Sequence, residues 1–472
     1  MSNTIDLTKL FPPDPISTIN ILDAYAPLNA EGWGTKCILP WTHLHVWPNH
    51  DVFPCCITNY KIGSTKNDTM KDIWNNDEMK NIRKQMLDGK KPKACTTCYK
   101  AEEYGNKSQR LTMNKELANE YHRIIDTKPD GRLEKMDLAY WDFRFSNVCN
   151  LKCRSCGPQL STGWYNDAKE QNRLDRINRG DNPEEYKDGI IKGTLPVDLP
   201  DQSDKRLIKL WEELEPHFPS VQEIYFAGGE PLVMEEHYRI LNRLIEMGRA
   251  HEVRLKYNTN FTNLQYKKTN VLDLWPKFER VEVGASLDAY GERAEYIRSG
   301  CDWNDIVTNR RQMQIKAPNA NFYAACTVGI TNAYHITEFH KHLIHEEIID
   351  DMWDFRLNVI QTPQWLNISN LPRPMKNELT DMYNEHIAWL KEKHYKRNNH
   401  WETPAQEFAG IINFLNATPP DFQSLHSEDF KFNHWQGSFT YKMDQLDQIR
   451  NENWRKNFPE IYEKFKENNI CL

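Results

Sequence analysis

The sequence predicts an α/β protein whose largest part is six parallel strands with helical crossovers, a partial TIM-like (β/α)6 barrel. Three observations predict it. From about residue 136, apolar strand-like runs alternate with longer helical stretches, the pattern of parallel strands joined by helices. Ahead of them, residues 36–105 hold five cysteines and read as a small separate module. Behind them, residues 370–472 are polar with helical spacing and read as a C-terminal extension.

The bulk numbers bound the function. A length of 472 residues suits two or three domains. Fifteen Trp, 20 Tyr and 19 Phe exclude a disordered chain. The net charge of −7 provides no basic field, so neither nucleic acid nor an anionic membrane is an expected partner. No apolar run approaches the roughly 20 residues of a membrane span. The first 30 residues, with Pro12, Pro13 and Pro15, have no apolar secretory core. The expected location is the cytoplasm. There, eleven cysteines point to metal ligation or catalysis rather than to disulfides.

Residues 1–35 are an irregular, Pro-containing lead-in. In the module at 36–105, Leu44–Trp47 and Asp51–Phe53 read as short strands around the turn Pro48-Asn49-His50. Residues 69–87 show helical spacing, and Gly89 stops that helix. Residues 106–135 form a polar, helical linker. The barrel spans 136–369, with strands near 137–146, 221–227, 252–260, 279–287, 321–330 and 353–361. Its helices are clearest at 232–250 and 336–347. Seventy-one residues separate Cys156 from Gly228, against about 30 in a βαβ unit. The excess is the charged stretch 168–203, a solvated insertion that reads equally as a lid or a surface loop. Pro419-Pro420 breaks the helical extension.

Alternation along the strands divides apolar from polar faces. Trp141, Phe143 and Phe145 alternate with Tyr140, Asp142 and Arg144; Val253, Leu255 and Tyr257 with Arg254, Lys256, Asn258 and Asn260. The polar sets, which include Ser286, are expected to line the barrel lumen. Such a lumen suits a polar substrate, or holds charges that neutralise one another.

The first strand leads directly into Cys149-Asn150-Leu151-Lys152-Cys153-Arg154-Ser155-Cys156. Three thiolates at this spacing can reach three irons of one cubane. Iron–sulfur clusters usually have four thiolate ligands, so a set of three leaves one iron open, as catalytic metal sites keep an open position. Zinc and unrelated cysteines are the alternatives. The second strand ends in Gly228-Gly229-Glu230-Pro231. Paired glycines let backbone approach a ligand closely, at the strand edge where such sheets bind ligands.

Cysteines at this spacing after strand one, with Gly-Gly-Glu-Pro ending strand two, resemble the radical S-adenosylmethionine (SAM) superfamily over residues 136–361. The resemblance implies a [4Fe-4S] cluster on Cys149, Cys153 and Cys156 whose open iron chelates SAM. It implies reductive cleavage of SAM to a 5′-deoxyadenosyl radical, which abstracts a substrate hydrogen. It implies SAM contacts at Gly228, Gly229 and Glu230, and at Ser286 and Arg298, twelve residues apart; Asn260 ends strand three on the same side. Where relatives often carry an aromatic before the third cysteine, this chain has Ser155.

In the module, Cys37, Cys55, Cys95 and Cys98 are metal-site grammar, for which zinc is the default. The stretch from Cys37 through Val52-Phe53-Pro54-Cys55-Cys56 and Ile73-Trp74-Asn75 to Cys95-Thr96-Thr97-Cys98 resembles the twitch domain, the half-size form of the SPASM auxiliary module. That resemblance implies a second [4Fe-4S] cluster, with Cys56 as a competing ligand for Cys55. The pattern's glycine is replaced by His50, at a turn that needs glycine-like backbone.

The functional expectation is a radical SAM enzyme acting on a peptide, protein or small polar substrate, with a reducing donor such as flavodoxin or ferredoxin. Peptide or protein modification leads. Radical dehydrogenation of a small molecule or carbohydrate, and a non-enzymatic iron–sulfur or zinc protein, are the alternatives. Cys326 reads as core, Cys301 and Cys471 have no partner signal, and His43 and His45 read as surface or hydrogen-bonding residues beside the auxiliary site.

Overall fold

A computed structural model describes residues 33–103, 108–178, 205–393, 402–416 and 428–470. The lead-in, most of the charged insertion and Pro419-Pro420 lie outside the described residues. The described chain is mixed α/β, with parallel strands and many helices, and divides into two compact units. One contains residues 1–143 and 200–224, the other 144–199 and 225–472. No described helix is long and apolar enough to cross a membrane.

In the first unit, β1 (His45–Val46), β2 (Asp51–Phe53) and β3 (Gly63–Ser64) form an antiparallel meander. β4 (Tyr140–Phe143) lies parallel to β1 on one side and to β5 (Glu223–Phe226) on the other. His50 turns the chain between β1 and β2 with φ +68°. This is the left-handed geometry expected where the twitch pattern has glycine. The helix expected over 69–87 is two helices, Met70–Trp74 and Asp77–Leu87. Two asparagines break it. The Asn75 side chain binds both backbone groups of Leu133, and the Asn76 side chain caps the second helix at Met79 N–H. Side chains of this kind compete with helical bonds and favour caps. Gly89, at φ +71°, ends the second helix as expected. Trp41 and Trp74 are both fully buried. Arg83 stacks on Trp74 at 4.6 Å and donates to Pro40 C=O.

All four residues of β4 are buried. On one face Trp141 meets Phe218 edge-on, ring centroids 5.0 Å apart. On the other, Asp142 stands 3.0 Å from His45.

The second unit's sheet has the order β6 (Arg254–Thr259), β9 (Arg280–Ser286), β10 (Asn321–Val328), β11 (Phe355–Val359), all parallel. A small hairpin, β7 (Gln265–Tyr266) with β8 (Thr269–Asn270), interrupts the sequence. Leu255, Tyr257 and Thr259 in β6, and Phe322, Ala324, Cys326 and Val328 in β10, alternate buried with more exposed neighbours. Cys326 is thus core. Helices Glu235–Glu246 and Ile336–His345 sit where helical patterns were expected. The β6-to-β9 crossover departs from expectation: it contains the hairpin and two 3-10 turns, Val271–Asp273 and Trp275–Lys277. Pro276, lacking an N–H, cannot extend a helix there.

The described part of the extension is helical: Arg373–Lys393, Glu402–Asn416, Glu428–Arg450, Trp454–Asn457 and Pro459–Glu467. The stretch expected to begin a solvated insertion instead forms the helix Tyr165–Asn178. Its Asp175 accepts from Tyr441 at 2.6 Å and from Lys442 at 3.0 Å, which fastens it to the helix Glu428–Arg450.

Candidate cysteine sites

Cys37, Cys55, Cys95 and Cys98 line one cavity in the first unit, with Arg110 at its wall; Cys56 is not among the lining residues. Each cysteine has a local reason for its position. Cys37 is held by its flanks. Asn114 accepts from Ile38 N–H at 2.8 Å and donates to Lys36 C=O at 3.0 Å. Arg110 donates to Gly34 and Lys36 C=O and is anchored by Glu102. Cys55 follows β2, whose register β1 and β3 fix. Cys95 ends the 3-10 turn Lys93–Cys95, and Cys98 begins the buried side of the helix Thr96–Glu103.

In the second unit, the loop carrying Cys149, Cys153 and Cys156 is tied down by backbone. Lys152 N–H donates to Ser299 C=O at 2.9 Å and Arg154 N–H to Ile297 C=O at 2.8 Å. Glu230 N–H donates to Val148 C=O at 2.8 Å. Gly229 is glycine because of this approach: a Cβ there would lie 2.1 Å from Val148 O. Gly229 thus packs its backbone against the cysteine loop. Gly228 has φ +121°, another position only glycine takes readily.

Polar hydrogens surround the sulfurs. Leu151 N–H and the Asn260 amide face Cys149 Sγ at 3.5 and 4.0 Å, and Arg298 Nη1 lies 3.7 Å from Cys153 Sγ. Hydrogen bonds to cluster sulfurs help to set their potential. Burial, then the neighbouring thiols, pushes the Cys149 and Cys95 thiols up to about 12; Cys156 rises to about 12 for the same reasons. These groups are thiols at neutral pH, and a metal must displace their protons.

Arg298 is 9% exposed. It pairs with Asp288 at 2.8 Å, while its Nε–H has no partner. Asp288 in turn accepts from Thr327 N–H at the end of β10. Ser286 is the last residue of β9, two before Asp288. The Glu230 carboxylate accepts from Thr259 Oγ, Asn260 N–H and Leu232 N–H at 2.7, 2.6 and 3.0 Å. Burial nevertheless pushes it up to about 7.

All ten described cysteines are free of disulfides. Among the described residues, no three Cys, His, Asp or Glu groups converge tightly enough to hold a single metal ion. The fit to iron–sulfur chemistry rests on donor type: four thiols around one cavity, and three thiols in one loop with N–H groups aimed at the sulfurs of Cys149 and Cys153.

Residues 37–99 match the family model SPASM, an iron-sulfur cluster-binding domain. The four cavity cysteines all fall within the matched span. No curated protein matches the chain. Among solved structures, native anSMEcpe with bound AdoMet superposes at 15% identity over 52% of this chain and 59% of that one, TM-score 0.31. Native anSMEcpe with bound AdoMet and Kp18Cys peptide gives 15%, 52%, 58% and 0.31. The matched region spans less than two thirds of those chains.

Sequence reasoning missed several residues around these sites. Asp288 had a signal, an acid ten residues before Arg298. Cys301 had none: it is buried, with its N–H on Arg298 C=O. His43 and His45, expected at a surface or in hydrogen bonds, are fully buried. Their Nδ1 atoms face Tyr140 and Asp142 C=O at 3.1 Å, and their Nε2 atoms have no partner.

Proposed function

We propose that this chain is a radical SAM enzyme with a SPASM-type auxiliary cluster. Cys149, Cys153 and Cys156 would hold the core [4Fe-4S] cluster, and Cys37, Cys55, Cys95 and Cys98 the auxiliary one. The observation that carries the reading is the setting of the three-cysteine loop: fastened to Gly229–Glu230 on one side and to Ile297–Ser299 on the other, with Arg298 beside Cys153. When bound, the core cluster supplies the electron that cleaves SAM's carbon–sulfur bond to give a 5′-deoxyadenosyl radical. The protein's part is position and electrostatics. Arg298 brings a buried guanidinium with an unpaired Nε–H, a donor for SAM's carboxylate. Asn260 orients Cys149, and Ser286 and Gly228 complete the SAM pocket.

The same reading takes residues 136–369 as a partial (β/α)6 barrel after a cluster module at 36–105, in a cytoplasmic enzyme reduced by a flavodoxin or ferredoxin. Its substrate class is peptide or protein, on the resemblance to radical SAM enzymes with such modules. The test is chromatography of the quenched, dithionite-reduced protein with SAM. It should release 5′-deoxyadenosine even without substrate. A preparation with a full core cluster that releases none, with or without cell extract, overturns the reading.

A further inference from the structure

We propose that the end of the helix Glu428–Arg450, with the turn that follows it, is a charge clamp that positions Cys153. The inference rests on the reading of Cys153 as a cluster ligand.

Both sequence neighbours of Cys153 are cations: Arg154 is held directly from residues 447–452, and Lys152 through Asp167, which it shares with Arg450. The Arg154 side chain is 1% exposed. Its Nη2 lies 2.6 Å from Asp447 and 2.5 Å from Glu452, and its guanidinium stacks 3.9 Å over Tyr296. The same two acids hold the segment against which the loop is paired: Tyr296 O–H donates to Asp447 at 2.6 Å and Ser299 O–H to Glu452 at 3.0 Å. On the other side of Cys153, Lys152 pairs with Asp167 at 3.2 Å. Asp167 is shared with Arg450 at 2.7 Å. Arg450 also lies 4.7 Å over Trp164, whose N–H donates to Cys153 C=O at 2.9 Å.

Helical geometry explains how one helix end reaches both sides. Asp447 and Arg450 are three residues apart, on one face. Asn451 then takes a left-handed conformation, φ +54°, and turns Glu452 back toward Asp447. Two carboxylates thereby converge on Nη2 of one guanidinium, whose Nε–H also donates to Tyr296 C=O at 3.3 Å, a set of directions that lysine's single ammonium reproduces only in part. Arg154, Asp447 and Glu452 act through the loop that carries Cys153; they are positioning residues. Loss of groups that orient metal ligands typically costs about 10–100-fold in metal affinity.

The test uses the full chain, reconstituted anaerobically, with Asp447→Asn/Glu452→Gln, Glu452→Gln alone, Arg154→Gln and Arg154→Lys. We expect the double variant and Arg154→Gln to lose core iron to a chelator about 10–100-fold faster than wild type. The auxiliary cluster should be unchanged, and the electron paramagnetic resonance shift on adding SAM should be altered. Arg154→Lys should restore part of the loss. Glu452 lies nearer the surface than Asp447, so Glu452→Gln alone carries the test if the double variant does not fold. Wild-type iron loss and an unaltered SAM-induced shift in folded variants would overturn the clamp while leaving the core site standing. Wild-type protein that assembles no cluster on Cys149, Cys153 and Cys156 would overturn the core reading, and the clamp with it.

Discussion

Of the cavity cysteines of the first unit, which span residues 37–98, Cys95 and Cys55 are placed by neighbours close in sequence, a 3-10 turn and a two-strand register, while Cys37 is held by Asn114 and Arg110, more than 70 residues away. The three cysteines of the second unit sit within eight residues. They are nevertheless placed by segments from everywhere else in that unit: Gly229, Asn260, Ile297–Ser299, and Asp447 with Glu452. A compact set of ligands can thus depend on distant chain, while a dispersed set draws part of its placement from local chain. The first kind of site is recognisable as a transferable domain. The second exists only once its unit has folded.

The largest expected effect breaks the comparison if it fails. Cys149→Ala, Cys153→Ala or Cys156→Ala should abolish 5′-deoxyadenosine release, whereas Cys37→Ala or Cys98→Ala should retain some of it. Wild type should bind about seven to eight irons, and Cys95→Ala/Cys98→Ala should lose about half of them. Three to four irons plus one zinc in wild type would make the first site a zinc site.

Glycines sharpen it next. Gly229→Ala places a methyl 2.1 Å from a backbone oxygen, which cannot move aside as a side chain would. Overpacking of this kind costs about 1–3 kcal/mol or more, and the cysteine loop should loosen with it. Gly89→Ala in the first unit meets nothing within 4 Å. It should cost only the left-handed backbone strain, about 1–2 kcal/mol. Thermal melting with iron retention separates the two outcomes.

Arg298→Ala should weaken SAM binding about ten- to hundredfold, the equivalent of one charge-assisted bond of about 1.5–3 kcal/mol. Because Arg298 also faces Cys153, its loss should perturb the core signal and leave the auxiliary one unaltered. Unchanged SAM affinity by equilibrium dialysis would remove Arg298 from the SAM pocket.

The smallest effect is with acid. Burial lowers His237 to about 3, and His335 and His340 to about 4, in the second unit; in the first, His43 falls to about 4. The unfolded chain protonates these groups near pH 6.5, so it binds more protons than the folded chain below that pH. Their stability contribution is full above 6.5 and is lost as pH falls toward 4, at up to about 1.4 kcal/mol per pH unit per histidine. Glu230, raised to about 7, acts in the opposite sense. The second unit should loosen first between pH 7 and 5. Hydrogen exchange, resolved by peptide and corrected for pH, would reveal the opposite order if the burial argument fails.

By itself the sequence determined the strands, the two cysteine sets, the Gly89 helix stop and the left-handed turn at His50. These follow from periodicity, spacing and single-residue backbone preference, which act over a few residues. It misjudged the helix at 69–87, because Asn75 and Asn76 satisfy backbone groups that only the folded module brings near. The charged stretch 168–203 begins within the helix Tyr165–Asn178, whose Asp175 finds its cation on a helix more than 250 residues away in sequence. The tertiary structure decided that Gly229 serves the cysteine loop, that Arg298 stands between Asp288 and Cys153, and that Arg154 is gripped by Asp447 and Glu452. No sequence spacing encodes those pairings, since a buried charge takes whichever partner the fold leaves within reach, and an unpaired one is too costly to keep.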